Sequence, residues 1–109
     1  MRILLLIVLA LMASLAAGAE LPSYTIAIKD HVFHPDKLEI PAGQKVRLII
    51  DNQDPAPEEF DSYALNREKL IPGNSKAPIF IGPLKPGEYE FSGEFHEKTA
   101  RGKVIATEK

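Results

Sequence analysis

The sequence contains no cysteine. That excludes disulfides as a stabilising device, and it excludes any metal centre built on a thiolate. Other absences narrow the function. There is no G-x-S-x-G elbow and no glycine-rich phosphate loop, and Ser62, Ser75 and Ser92 stand in no visible serine–histidine–aspartate arrangement. A nucleic-acid partner is not expected, because no basic patch is present: 13 Lys and Arg stand against 15 Asp and Glu, a formal net charge of −2. No internal repeat, linker or low-complexity tract interrupts residues 20–109. Nine prolines work against long helices.

The beginning of the chain reads as a targeting segment. Arg2 precedes an apolar run from Ile3 to about Met12, and small residues follow through Ala17, Gly18 and Ala19. This layout predicts a secretory signal over residues 1–19, cut after Ala19. The apolar run is short of the ~20 residues a membrane span needs, and no basic stop-transfer cluster follows it. Residues 20–109 then form one small domain. Small domains bury a modest fraction of their surface, so a bound metal or a well-packed sandwich must do what disulfides do elsewhere.

What is present is a period of two. Tyr24, Ile26 and Ile28 alternate with Thr25, Ala27 and Lys29. Val46, Leu48 and Ile50 form a second such run, Ile79 and Ile81 a third, and Tyr89, Phe91 and Gly93 a fourth. Alternation of this kind lays one face on a core and turns the other to water. Pro41-Ala42-Gly43, Pro72-Gly73 and Lys85-Pro86-Gly87 punctuate these runs as turns. The fold class is therefore all-β, a sandwich or barrel of short strands. Ser62 to Leu70 reads differently: Ser62 is a helix-capping residue, and the segment is expected to be an irregular connection between two sheets with a helical turn.

The acids are unevenly placed. Asp51, Asp54, Glu58, Glu59 and Asp61 fall within eleven residues that hold no base. Such a run repels itself unless it is solvated, spread along a loop or neutralised by a cation. Alternation puts Glu59 and Asp61 on one face and Phe60 on the other, with Glu58 beside Phe60. Glu94 and His96 are two residues apart, so in an extended chain their side chains point the same way. His31 and His34 bracket Val32 and Phe33, and His34, preceding Pro35, reads as a turn residue. Glu68 lies between Arg67 and Lys69, where a surface ion pair is the plain alternative. Imidazole and carboxylate donors together suit iron, manganese, zinc or copper(II) better than copper(I).

Three stretches carry a family resemblance. They are "FHPDKLEIPAGQKVRLIIDNQD", "PEEFDS" and "PLKPGEYEFSGEFHEKTARGKVIA". In this order and spacing they resemble the cupredoxins, which implies a Greek-key β-sandwich of about seven to eight strands. The blue-copper ligand set does not carry over. Glu58 or Glu59 stands in the place of the first histidine and Gly93 in that of the cysteine. His96 remains at about the second histidine, and the methionine's place falls near Thr99 or Ala100. Type 1 copper is set aside on this ground.

"EEFDSYALNREKLIPG" and "GEFHEKTARGK" resemble the EfeO-type cupredoxin-like domains associated with bacterial iron permeases. Glu59-Phe60-Asp61 matches that branch's acid-aromatic-acid triplet, and Glu68 its glutamate before a Pro-Gly turn. The resemblance implies a periplasmic protein of iron uptake. It would bind a metal ion, iron or copper(II), through His96, Glu59, Glu94, Glu68, His31 and Asp61. It would serve a membrane iron permease or another periplasmic iron-uptake protein. A metal bridging two copies, a homodimer, is one arrangement open to it. Binding is expected rather than turnover. The alternatives are a ferroxidase acting on Fe(II) and a metal-free module that grips a partner.

Overall fold

The computed structural model describes residues 20–108; the expected signal, residues 1–19, lies outside the described residues. Nine strands occur among them. They are β1 (Ser23–Lys29), β2 (Val32–His34), β3 (Lys37–Pro41), β4 (Val46–Asn52), β5 (Glu58–Ser62), β6 (Arg67–Ile71), β7 (Ser75–Ile81), β8 (Gly87–Gly93) and β9 (Arg101–Thr107). They form a four-stranded sheet ordered β2-β1-β4-β7 and a five-stranded sheet ordered β3-β9-β8-β5-β6. β1 runs parallel to β4, and β3 parallel to β9. Both sheets are otherwise antiparallel.

The expected alternation is what folds them. In β4, Val46, Leu48, Ile50 and Asn52 point inward while Arg47, Ile49 and Asp51 are half-buried on the other face. The inward residues of both sheets meet in one core that includes Ile26, Leu48, Ile50, Phe60, Phe91 and Val104. An aromatic trio is packed within it. Phe33 meets Phe91 edge-on at 5.0 Å, and Phe60 stacks on Phe91 at 4.9 Å, both measured between ring centroids. Burying each of these rings stabilises the fold by about 1.5–3 kcal/mol.

The segment from Ser62 to Leu70 departs from expectation. β5 and β6 are neighbours in one sheet, a hairpin with Asp61 opposite Glu68 and Glu59 opposite Leu70. The physical reason lies in the burial of β6. Only Ile71 is buried, and Arg67 to Leu70 are all exposed, as suits the edge strand of a sheet. Such a strand shows no period of two. The cap expected at Ser62 survives in another form: its Oγ accepts the Leu65 N–H at 3.0 Å and closes the hairpin turn.

The opposite sheet edge, β7, is blunted rather than paired. Pro78 removes one donor from it, and Arg67 Nε donates to the Phe80 carbonyl at 3.0 Å.

Candidate metal centre

The site is built around the β4–β5 loop. Asn52 ends β4 facing inward and is 1% exposed. Its Nδ2 donates to the carbonyls of Ala56, Ile71 and Pro72 at 2.9, 3.2 and 3.2 Å, and its Oδ1 accepts the Asp54 N–H at 3.1 Å. One side chain thus ties the loop to the β6–β7 turn. Gly73 in that turn has no room for a side chain, since a Cβ there would lie 2.0 Å from the Pro55 carbonyl oxygen.

Asp54, buried by this arrangement, holds the β1–β2 turn. Its Oδ1 accepts the Asp30 N–H at 2.8 Å and its Oδ2 the His31 N–H at 2.9 Å. Both turn residues have positive φ, 54° at Asp30 and 61° at His31, the conformation of the tight turns that join right-twisted strands. Burial pushes the Asp54 carboxyl pKa up. The two backbone N–H groups, with the charges of His31 and Lys29, outweigh burial and hold it below its ordinary 3.8. The His31 Nδ1 lies 3.5 Å from Asp54 Oδ2.

Glu58 opens β5 and points between the sheets, where it is 2% exposed. Its Oε1 accepts the Glu59 and Phe95 N–H groups, both at 2.9 Å. Its Oε2 lies 2.7 Å from His96 Nδ1. The His96 ring in turn stacks on that of His31, with centroids 3.6 Å apart and planes 11° from parallel. Thr99 Oγ1 donates to the His31 carbonyl at 2.6 Å and completes the junction of three loops.

Glu94 and His96 do not face the same way. β8 stops at Gly93, Glu94–His96 form a 3₁₀ turn, and just beyond it the Ala100 N–H donates to the His96 carbonyl at 2.8 Å. Three residues per turn set side chains two apart on different sides. His96 therefore turns to Glu58, while Glu94 leans on Asp61.

The six expected ligands fall into two groups. His31 and His96 lie at the inner junction with Asp54 and Glu58. Glu59, Asp61 and Glu68 lie on the outer face of the β5–β6 hairpin, each presenting an oxygen within 4.8 Å of the others. Glu94 joins them. The charge of Glu97 pushes its carboxyl pKa up from 4.5, followed by burial and by the charge and hydrogen bond of Asp61. Glu58 and Glu59 are thus chain neighbours on opposite faces of one strand. Asp54 and Glu58 as partners of the imidazoles were not foreseen. The signal was the acid run itself, which a strand of period two must divide between inside and outside.

The two groups suit different chemistry. The outer acids are hard oxygen donors, two of them directly opposite across a ladder, where like charges destabilise. No ion pair among the described residues involves Glu59, Asp61, Glu68 or Glu94. They fit a hard cation. The inner junction does not fit type 1 copper. The thiolate is missing, and position 93 cannot supply a donor: a Cβ on Gly93 would lie 2.7 Å from Glu58 Cδ, 2.8 Å from its Oε2 and 2.7 Å from the Ala100 Cβ.

Known proteins share this architecture. Auracyanin A, a blue copper protein of Chloroflexus aurantiacus, superposes with a TM-score of 0.70 at 15% identity, covering 81% of this chain and 100% of that one. The metal-binding domain of the Cu(I)-exporting P-type ATPase of Streptococcus pneumoniae D39, solved with Cu(I), gives 0.66 at 19% identity, covering 79% and 85%. At these identities the likeness is one of fold. An uncharacterised protein of Rickettsia prowazekii (strain Madrid E) is 47% identical over 83 residues, 76% of this chain and 66% of that protein's length. The cupredoxin-like domain profile matches residues 2–106, nearly the whole sequence, and with the two-sheet sandwich beneath it this chain belongs to the cupredoxin-like domain family.

Proposed function

We propose that this protein binds a metal ion in the periplasm and serves bacterial iron uptake, taking iron or copper(II) through carboxylate and imidazole donors. The observation that carries the reading is the outer cluster. Glu59, Asp61 and Glu68 bring oxygens within 4.8 Å of one another. Glu94 adds a fourth carboxyl whose pKa is raised chiefly by like charge. A divalent cation would relieve that repulsion, and oxygen donors favour hard ions. Glu59, Asp61 and Glu68 would hold the ion, with Glu94 beside them. His96 and His31 supply the nitrogen donors at the inner junction. The metal is cargo in this reading, passed to a membrane permease or to a second periplasmic protein.

Calorimetric titration with Fe(II), Mn(II), Cu(II) and Zn(II) tests it. At least one ion is expected to bind, and Glu59→Gln with Asp61→Asn is expected to weaken that binding at least about tenfold, or 1.4 kcal/mol. No binding tighter than ~100 μM for any of the four ions would sink the reading.

A further inference from the structure

Gly93 has extended backbone, φ −94° and ψ 113°, which any residue can adopt. Space, not conformation, requires glycine there, and the Glu58 carboxyl and the Ala100 Cβ together fill the space. Glu58 is nearly inaccessible to solvent, yet both of its oxygens are engaged. Oε1 takes two backbone N–H groups, and Oε2 faces one imidazole nitrogen. No buried side-chain polar atom lacks a partner among the described residues. The carboxyl therefore fills the place a side chain at 93 would occupy, and it clasps the 3₁₀ turn at Phe95 and His96.

From this geometry we infer that Glu58 is a positioning residue that sets the tautomer of His96. A carboxylate oxygen only accepts, so at 2.7 Å the neutral imidazole places its proton on Nδ1. The Nε2 lone pair then points away from Glu58. The His96 side chain is 29% exposed, and on this inference that lone pair is the one left to take a proton or a cation. A histidine that ligates metal through one nitrogen commonly donates its other N–H to such a carboxylate. This deepens the metal-binding reading and rests on it only for what binds at Nε2. The tautomer itself does not depend on it.

The two oxygens of Glu58 differ in a way that gives a sharp test. In Glu58→Gln the volume is unchanged, but one oxygen becomes an NH₂ group. Two backbone N–H groups converge on the Oε1 position, so the amide carbonyl must sit there. The NH₂ group then falls at the Oε2 position and faces His96 Nδ1, which must become an acceptor. The substitution therefore moves the imidazole proton from Nδ1 to Nε2 and blocks the outward lone pair.

¹⁵N NMR of the ring, recorded where the imidazole is neutral, reads the tautomer directly. The wild type is expected to be Nδ1–H, and Glu58→Gln, its fold checked by amide dispersion, Nε2–H. Parallel Zn(II) titrations are expected to show at least about tenfold weaker binding at His96 in the variant. An Nε2–H wild type, or the same tautomer in both proteins, overturns the inference. A tautomer that inverts in a protein that binds no metal leaves the inference standing and removes the metal-binding reading. Metal binding with no tautomer change does the reverse.

Discussion

Replacing Asn52 by Asp changes one heavy atom and is expected to be among the most damaging conservative substitutions in the domain. The Asn52 amide nitrogen faces three carbonyl oxygens, those of Ala56, Ile71 and Pro72. Its two hydrogens serve this set, whereas an ionised carboxylate in the same place supplies none and a protonated one supplies a single hydrogen. Stranding a buried polar group costs about 1–3 kcal/mol, so losing one donor hydrogen (protonated carboxyl) or two (carboxylate) amounts to about 1–6 kcal/mol. A domain of this size has about 5–13 kcal/mol of total stability. At about 4–8 °C for each kcal/mol, a loss of about 4 kcal/mol lowers Tm by about 15–30 °C. Far-UV circular dichroism in urea is the assay, as the chain contains no tryptophan.

The pH dependence gives the prediction a signature. Burial against carbonyls raises the carboxyl pKa of the introduced aspartate, so the folded variant holds a proton that the unfolded chain has lost. Its stability then falls as pH rises through the carboxylate range, and its deficit is larger at pH 7 than at pH 4. An Asn52→Asp protein within about 1 kcal/mol of wild type at pH 7 would refute the claim that this amide ties the loops together.

Two further substitutions separate the anchor from the imidazole it holds. Asp54→Asn is expected to cost about 2 kcal/mol at neutral pH, because one of the two N–H groups it accepts would then face an NH₂ group. The Asp54 carboxyl is held below 3.8, so its contribution is complete above that value and lost as pH falls through the lower folded pKa. Urea titrations should therefore show the gap between the two proteins narrowing below pH 3.8, and a gap that widens there would contradict the assignment. His31→Gly keeps the backbone N–H to Asp54 and suits the positive φ of 61°. Its stability should stay within about 1 kcal/mol of wild type, and a much larger loss would mean that the ring, not the backbone, holds the turn.

The strands that face the core on one side were legible because their inward residues repeat every second position. β4 and β8 are the clear cases. β6 was not, since an edge strand with four exposed residues in a row carries no such record. The same rule explains what was misjudged at the site. Tyr89 to Gly93 alternates so regularly that Glu94 and His96 looked like its continuation, but the strand ends and the 3₁₀ turn sends them apart. In the acid run the alternation was readable. Its consequence, that one glutamate becomes an internal partner while the next becomes a surface donor, depended on the register of β5 against the 3₁₀ turn. That contact joins residues 37 positions apart, beyond the reach of a local pattern.

The glycine at position 93 and the presence of Glu58 are therefore linked features. A side chain at 93 and the carboxyl of Glu58 compete for the same volume. A carboxylate at 58 without the Phe95 and Glu59 N–H groups and the His96 ring would be a buried charge without partners, which is costly. Each element is tolerable only because the others are present: glycine makes the room, the carboxyl fills it, and the turn that follows donates to it. A chain so arranged has one end of its sandwich organised by its own side chains. In the proposed reading, the metal would then fall to groups that the core does not use, above all the acids on the far face of β5.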